Sequence, residues 1–206
     1  MSGDPMTNYT ETEVKFYYPD LSAIASELIR AGAKVTTPRL YERNVRYEDS
    51  GETLTHNGVV VRLRQDYRAR LTYKGPGKIV NGLKQRYEVE VEVSDFEAMS
   101  VILENLGYHP HMTYEKYRTT YELDGTEIVL DEMPYGNFVE IEGDAHVIPQ
   151  IITKLGLTGR TRYDQSYTGL FEIIKRNLDL DFPNLTFEDF DGIDVPESAL
   201  MSSDEA

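Results

Sequence analysis

The chain contains no cysteine, so neither a disulfide nor a thiolate-bound metal is available to it. Its four histidines, His56, His109, His111 and His146, leave little from which to build an imidazole zinc site, so any metal here has carboxylate ligands. No stretch approaches the roughly 20 apolar residues that span a bilayer. The opening "MSGDPMTNYT" lacks the basic start and apolar middle of a signal peptide. A cytoplasmic protein with no membrane partner is the expectation. No repeat of fixed period is evident, and no glycine-rich loop precedes a helix, which counts against parallel nucleotide-binding folds. A net charge of −15 argues against nucleic acid as a partner, because phosphate backbones demand a basic face.

That charge is uneven. From Asn177 to Ala206 the chain holds nine of its 36 acidic residues (Asp179, Asp181, Glu188, Asp189, Asp191, Asp194, Glu197, Asp204 and Glu205) and none of its 21 basic ones. The remainder is charge-rich and mixed, and the chemistry is expected there. With 206 residues, 40% of them hydrophobic, one core and one domain suffice. The expected organisation is a flexible leader over 1–10, a catalytic domain over 11–178 and an acidic tail over 179–206. The tail is either a strap packed through Leu185, Phe187 and Phe190 or partly disordered.

What is present is mostly strand. "ETEVKFYY" alternates polar and apolar, "DLSAIASELIRAGA" has helical spacing with Asp20 as cap, and "RLYERNVRYED" returns to strand. "SGETLTHNG" reads as a turn, followed by the strands "VVVRLRQD", "ARLTYKGPG" and "KQRYEVEVEV". A second helix, "SDFEAMSVILENLG", is capped by Ser94 or Asp95. Three further strands lie in "EKYRTTYELDGTEIVLDEMPYGNFVEIEG", and the helices "HVIPQIITKLGL" and "SYTGLFEIIKRNL" follow. Strands in antiparallel order with helices between them predict an α+β fold: a closed barrel or strongly curved sheet.

Side chains at i and i+2 of a strand share a face. Glu11, Glu13 and Lys15 therefore point together, as do Arg62 and Arg64. So do Arg86, Glu88, Glu90 and Glu92; Lys116 and Arg118; and Glu140 and Glu142. For any single strand a charged face simply meets water. Five such strands are harder to place that way, because the helices must cover the apolar faces. The charged faces then line the inside of a barrel, where they must pair or hold ligands. Arg and Lys clusters grip phosphoryl oxygens, while carboxylates hold Mg²⁺ or Mn²⁺ that bridges them. A small-molecule triphosphate with its metal satisfies both sets.

These segments resemble the CYTH proteins, the triphosphate-tunnel group that includes class IV adenylate cyclases and thiamine triphosphatases. Glu11-Thr-Glu13-Val-Lys15 is similar to the family's ExExK signature. "RNVRYED" resembles the strand that carries an arginine, here Arg43, and "VVRLRQD" the LRxR strand. "LTYKGP" supplies Lys74, "EKYRTTY" resembles the KxR strand, and "VLDEMPYGNFVEIEG" the metal-binding strands. The likeness runs from Glu11 to Glu172 and implies an eight-stranded antiparallel tunnel with helices outside. It implies metal ligands at Glu11, Glu13, Asp131, Glu140 and Glu142. Phosphate contacts would come from Lys15, Arg43, Arg62, Arg64, Lys74, Lys116 and Arg118. Glu90, with Glu88 beside it, would hold a second metal or orient water, and Lys15, Glu90 and Arg118 would have catalytic roles. Arg86 reads as a salt-bridge partner, and Arg46 receives no role.

Two reactions use this grip: hydrolysis of ATP or inorganic triphosphate by activated water, and cyclisation of ATP to cyclic AMP with release of pyrophosphate. Hydrolysis demands less of the site and is the preferred expectation. A non-catalytic sensor of nucleotide or polyphosphate is a third reading, and a salt-bridged structural barrel a fourth. A homodimer is compatible with the sequence, although no residue pattern demands one.

Overall fold

The computed structural model describes residues 9–202. Its chain order is β1 (Thr10–Tyr17), α1 (Leu21–Arg30), β2 (Lys34–Glu48), α2 (Thr53–His56), β3 (Val60–Gln65), β4 (Ala69–Val80) and β5 (Leu83–Val93). There follow α3 (Phe96–Asn105), β6 (His109–Leu123), β7 (Thr126–Met133), β8 (Gly136–Glu142), α4 (Ile148–Lys154), α5 (Tyr167–Leu178) and a 3₁₀ turn (Glu197–Leu200). The strands close into one barrel in the order β1-β5-β4-β3-β2-β6-β7-β8, with every neighbour antiparallel. Among the described residues no helix is long and apolar enough to cross a membrane. Most of the leader expected over 1–10 lies outside the described residues.

Local chemistry accounts for the elements. In α1 the Asp20 carboxylate accepts the N–H groups of Ser22 and Ala23, and Ile24 and Leu28, one turn apart, are buried. Of the two candidate caps of α3 it is Asp95 that accepts an N–H, from Ala98. Ser166 caps α5 by accepting the Gly169 N–H at 3.1 Å.

Two segments differ from expectation. The turn after β2 contains the one-turn helix α2, because Glu48 accepts the N–H groups of Leu54 and Thr55 and Asp49 accepts that of Thr53. β4 does not stop at its Gly-Pro-Gly but passes through a register irregularity between Lys74 and Gly77. It turns at Asn81-Gly82, whose φ values of 53° and 73° suit a tight hairpin.

Helices cover three sectors of the outer surface. α1 and α4 bury Ile24, Leu28, Ile148 and Ile151 against β1, β7 and β8. α3 places Phe96 and Leu103 on Val45 and Leu63. α5 packs Leu170, Phe171 and Ile174 with Phe138 and with the tail residues Leu185, Phe190 and Leu200. The outer face of β4 and β5 has less cover than expected, and Tyr73, Tyr87 and Val91 stay exposed there.

The acidic tail, through residue 202, packs onto the barrel. β6 is 15 residues long and β7 only 8, so β6 overhangs its neighbour. At the overhang Leu185 donates its N–H to Thr113 O and accepts that of Glu115, both at 2.9 Å. Asn184 Oδ1 takes the Thr113 N–H at 2.9 Å, and Glu115 takes the Phe187 N–H at 3.0 Å. Backbone groups that a shorter partner strand would leave open are thereby satisfied.

Candidate active site

The barrel encloses a cavity of about 740 Å³. Strand alternation aims Glu11, Glu13, Lys15, Arg62, Arg64, Lys74, Glu88, Glu90, Lys116, Arg118, Glu140 and Glu142 into it, as expected. Arg86 lines it too, with its guanidinium on the Gly58 and Gly75 carbonyls. One end is stopped by the first turn of α5: Lys15 Nζ donates to Gln165 O at 2.9 Å, and Arg46 to Thr168 Oγ1 at 2.8 Å. At the other end Thr36, Glu127 and Tyr67 line the cavity and are exposed.

Around the β2–β6–β7 side the cations are fastened from below. Asp131 has 0% exposure; it accepts from Arg118 Nε at 2.7 Å, Lys116 Nζ at 3.1 Å and the Tyr167 hydroxyl at 2.7 Å. Burial alone would raise its pKa, but the Arg118 and Lys116 charges and these hydrogen bonds hold it far below the usual carboxylate range. Glu42 lies 3.3 Å from Arg64 and 3.6 Å from Lys116. Against the effect of burial, Lys116, Arg118 and Arg64 pull its pKa down to about 2. Glu140 bridges onward, with one oxygen 3.1 Å from Lys15 and the other 2.9 Å from Arg118. Arg64 and Arg62 meet Glu90 at 2.8 and 3.4 Å, and the Thr72 hydroxyl donates to Glu90 at 2.8 Å.

The β1–β5–β8 side is different, because carboxylates outnumber the cations beside them. Lys74 serves Glu11 at 3.2 Å and Glu88 at 2.5 Å, while Lys84 serves Glu13 at 3.1 Å. Burial and the hydrogen bond with Glu88 raise the Glu11 pKa. Among the described residues no ion pair of 4 Å or less forms at Glu142; burial and then the charges of Glu11 and Glu127 push its pKa up to about 8. Among the described residues no three acidic or histidine side chains converge into a ready cage for an ion. The donor set nonetheless suits Mg²⁺ or Mn²⁺: it is all oxygen, negatively overcharged, and faces a cavity. Such an ion needs only one or two carboxylates, with water and substrate phosphates completing its shell.

Three of the expected site residues are placed differently from the rest. Arg43 does not reach the cavity; Glu42 and Asn44 on either side of it point inward, so Arg43 points out, its guanidinium 5.5 Å from the centre of the Phe96 ring. Arg46, on the inward set, takes its place. Asp131 is sealed beneath Lys116 and Arg118 and is not among the residues lining the cavity. Glu90 is occupied by arginines and Thr72. Glu42, Arg46, Arg70 and Tyr67 line the cavity without having been assigned. The i, i+2 rule applied to "YERNVR" would have found the first two.

A family model described as the CYTH domain matches residues 9–154. The chain is 28% identical over 134 residues to a Methanocaldococcus jannaschii protein named "Putative adenylate cyclase", the match covering 64% of this chain and 75% of that protein. Among solved structures it resembles the PH1819 protein of Pyrococcus horikoshii, with TM-score 0.64 and 26% identity, covering 79% of this chain and 98% of the other. It also resembles a Hippeastrum protein described as a "putative adenylyl cyclase" with a dominant triphosphatase activity. There the TM-score is 0.62 and identity 17%, covering 79% of this chain and 95% of the other.

Proposed function

This chain belongs to the CYTH family, and from that premise we propose that it is a divalent-metal-dependent triphosphatase that hydrolyses a nucleoside triphosphate or inorganic triphosphate inside the barrel. The observation that carries the reading is the division of the tunnel into a cation side and an overcharged carboxylate side. A triphosphate chain lying between them meets Arg62, Arg64, Lys116 and Arg118 on one flank. Glu11, Glu13 and Glu142 on the other flank, with Glu140 at the boundary, would hold Mg²⁺ or Mn²⁺. When bound, the ion supplies Lewis-acid stabilisation of phosphoryl oxygens and lowers the pKa of water.

The protein's own contribution is positioning. Asp131 and Glu42 fix the cations before substrate arrives, so little reorganisation is required as charge develops on the transferring phosphoryl group. The α5 turn stops one end of the tunnel, which limits access of bulk water to the deepest phosphate.

The second reading is cyclisation of ATP to cyclic AMP. The name carried by the Methanocaldococcus jannaschii relative favours it. Product analysis with ATP and with inorganic triphosphate, each with Mg²⁺ or Mn²⁺, separates the two. Release of orthophosphate, abolished in Glu142→Gln, supports the triphosphatase. Cyclic AMP with pyrophosphate replaces it by the cyclase, and binding without turnover of either leaves a sensor.

A further inference from the structure

The end of the tunnel opposite α5 has a feature that phosphate binding does not use. Between β3 and β4 the chain turns through Asp66, Tyr67 and Arg68. Tyr67 lines the cavity and is 67% exposed, the most exposed tyrosine among the described residues. The ring leaves an aromatic face in water at the cavity mouth, where a ligand entering the tunnel passes it.

The turn beneath it is rigid. Asp66 donates its N–H to Arg68 O at 3.0 Å, and its carboxylate takes the Arg68 N–H at 2.9 Å and an ion pair from Arg70. The Arg68 guanidinium lies 5.0 Å from the centre of the Tyr67 ring and is tied to Glu92 at 3.1 Å. Directly below this turn, Arg70 and Arg64 are register partners and both reach Glu90. Half-buried Leu40, on the neighbouring strand β2, lines the same end.

We propose that Tyr67 is a base-stacking residue, and that the ligand class this tunnel is shaped for is a nucleoside triphosphate, with its base against Tyr67 at the rim and its phosphates running inward past Arg70 and Arg64. The inference rests on the reading of the tunnel as a triphosphate site and adds where the nucleoside goes. Stacking on an aromatic face tolerates any base, because every base has a π surface. Tyr67 therefore selects nucleotides over inorganic triphosphate rather than one base over another.

The test is calorimetric titration of ATP and, separately, inorganic triphosphate, both with Mg²⁺, into the wild type, Tyr67→Ala and Tyr67→Phe. Tyr67→Ala weakens ATP by about tenfold, within the range alanine substitution costs a stacked base, and leaves inorganic triphosphate within about twofold. Tyr67→Phe keeps the wild-type affinity for ATP. An equal loss for both ligands, no loss for ATP, or a phenylalanine variant as weak as the alanine one overturns the assignment while leaving the tunnel reading intact. A wild type that binds neither ligand overturns both.

Discussion

The two sides of the tunnel are made of the same residue types yet stand in opposite conditions. On the β2–β6–β7 side Arg64, Lys116 and Arg118 each already have a carboxylate, and Asp131 and Glu42 are buried with cations against them. On the β1–β5–β8 side burial and neighbouring carboxylates, Glu88 beside Glu11 and Glu11 and Glu127 beside Glu142, raise the pKa values of Glu11 and Glu142. The first side pairs its buried carboxylates as folded; the second leaves carboxylates short of positive charge, which an incoming cation would supply. A charged interior is thus two devices, a scaffold that presents cations and a socket that lacks one.

Breaking the scaffold has the largest effect. Asp131→Ala leaves Lys116 and Arg118 buried with half their partners and strands the Tyr167 hydroxyl. A loss of about 3–5 kcal/mol is expected in denaturant unfolding, the scale for removing one member of a buried ion pair. A variant as stable as the wild type would dissolve the distinction between the two sides.

Glu42 tests the same side through pH. Its native pKa of about 2 lies below the usual 4.5, so its contribution is fully present above pH 4.5 and is lost as pH falls through about 2. Glu42→Gln is expected to lose on the order of 3 kcal/mol at pH 7, and the gap to the wild type narrows steadily below pH 4.5. A gap that stays constant from pH 7 to pH 2 would contradict the assigned shift.

The socket has the reverse sign. The Glu142 pKa is raised to about 8, so the carboxyl costs stability as pH climbs from 4.5 toward 8. In metal-free buffer Glu142→Gln should melt higher than the wild type at pH 7.5 and equally at pH 4. Adding Mg²⁺ should raise the wild-type melting temperature and leave the variant nearly unmoved. A variant less stable at pH 7.5 would mean that the carboxylate is already paired.

The smallest effect separates neighbours in sequence. Arg46→Ala should weaken triphosphate binding by about 1 kcal/mol or more, as loss of one charged hydrogen bond does, whereas Arg43→Ala leaves it within experimental error. Equal losses would place both side chains in the cavity.

Much of this was legible in the residues. Alternation in "ETEVK", "RLR", "EVEVE" and "VEIE" announced the charged interior, and Asp20 and Gly32 bracketed the first helix. Arg43 was misplaced because a motif match does not state which parity of a strand faces inward, and a one-residue slip reverses every side chain. The enclosure of Asp131 was invisible because it depends on Tyr167, 36 positions away. The tail's role was undecidable for a similar reason: it follows from β6 being longer than β7, a difference in strand lengths that composition does not record.

That overhang also sets an order of events during synthesis. β1 must wait for β8 to close the barrel, and the exposed edge of β6 must wait for Leu185, which leaves the ribosome later still. A nascent chain halted near residue 180 therefore carries a complete set of tunnel strands with one bare ladder edge, the form in which β proteins stick to one another. The acidic tail arrives after every strand of the barrel, and its seating on β6 ends that exposure.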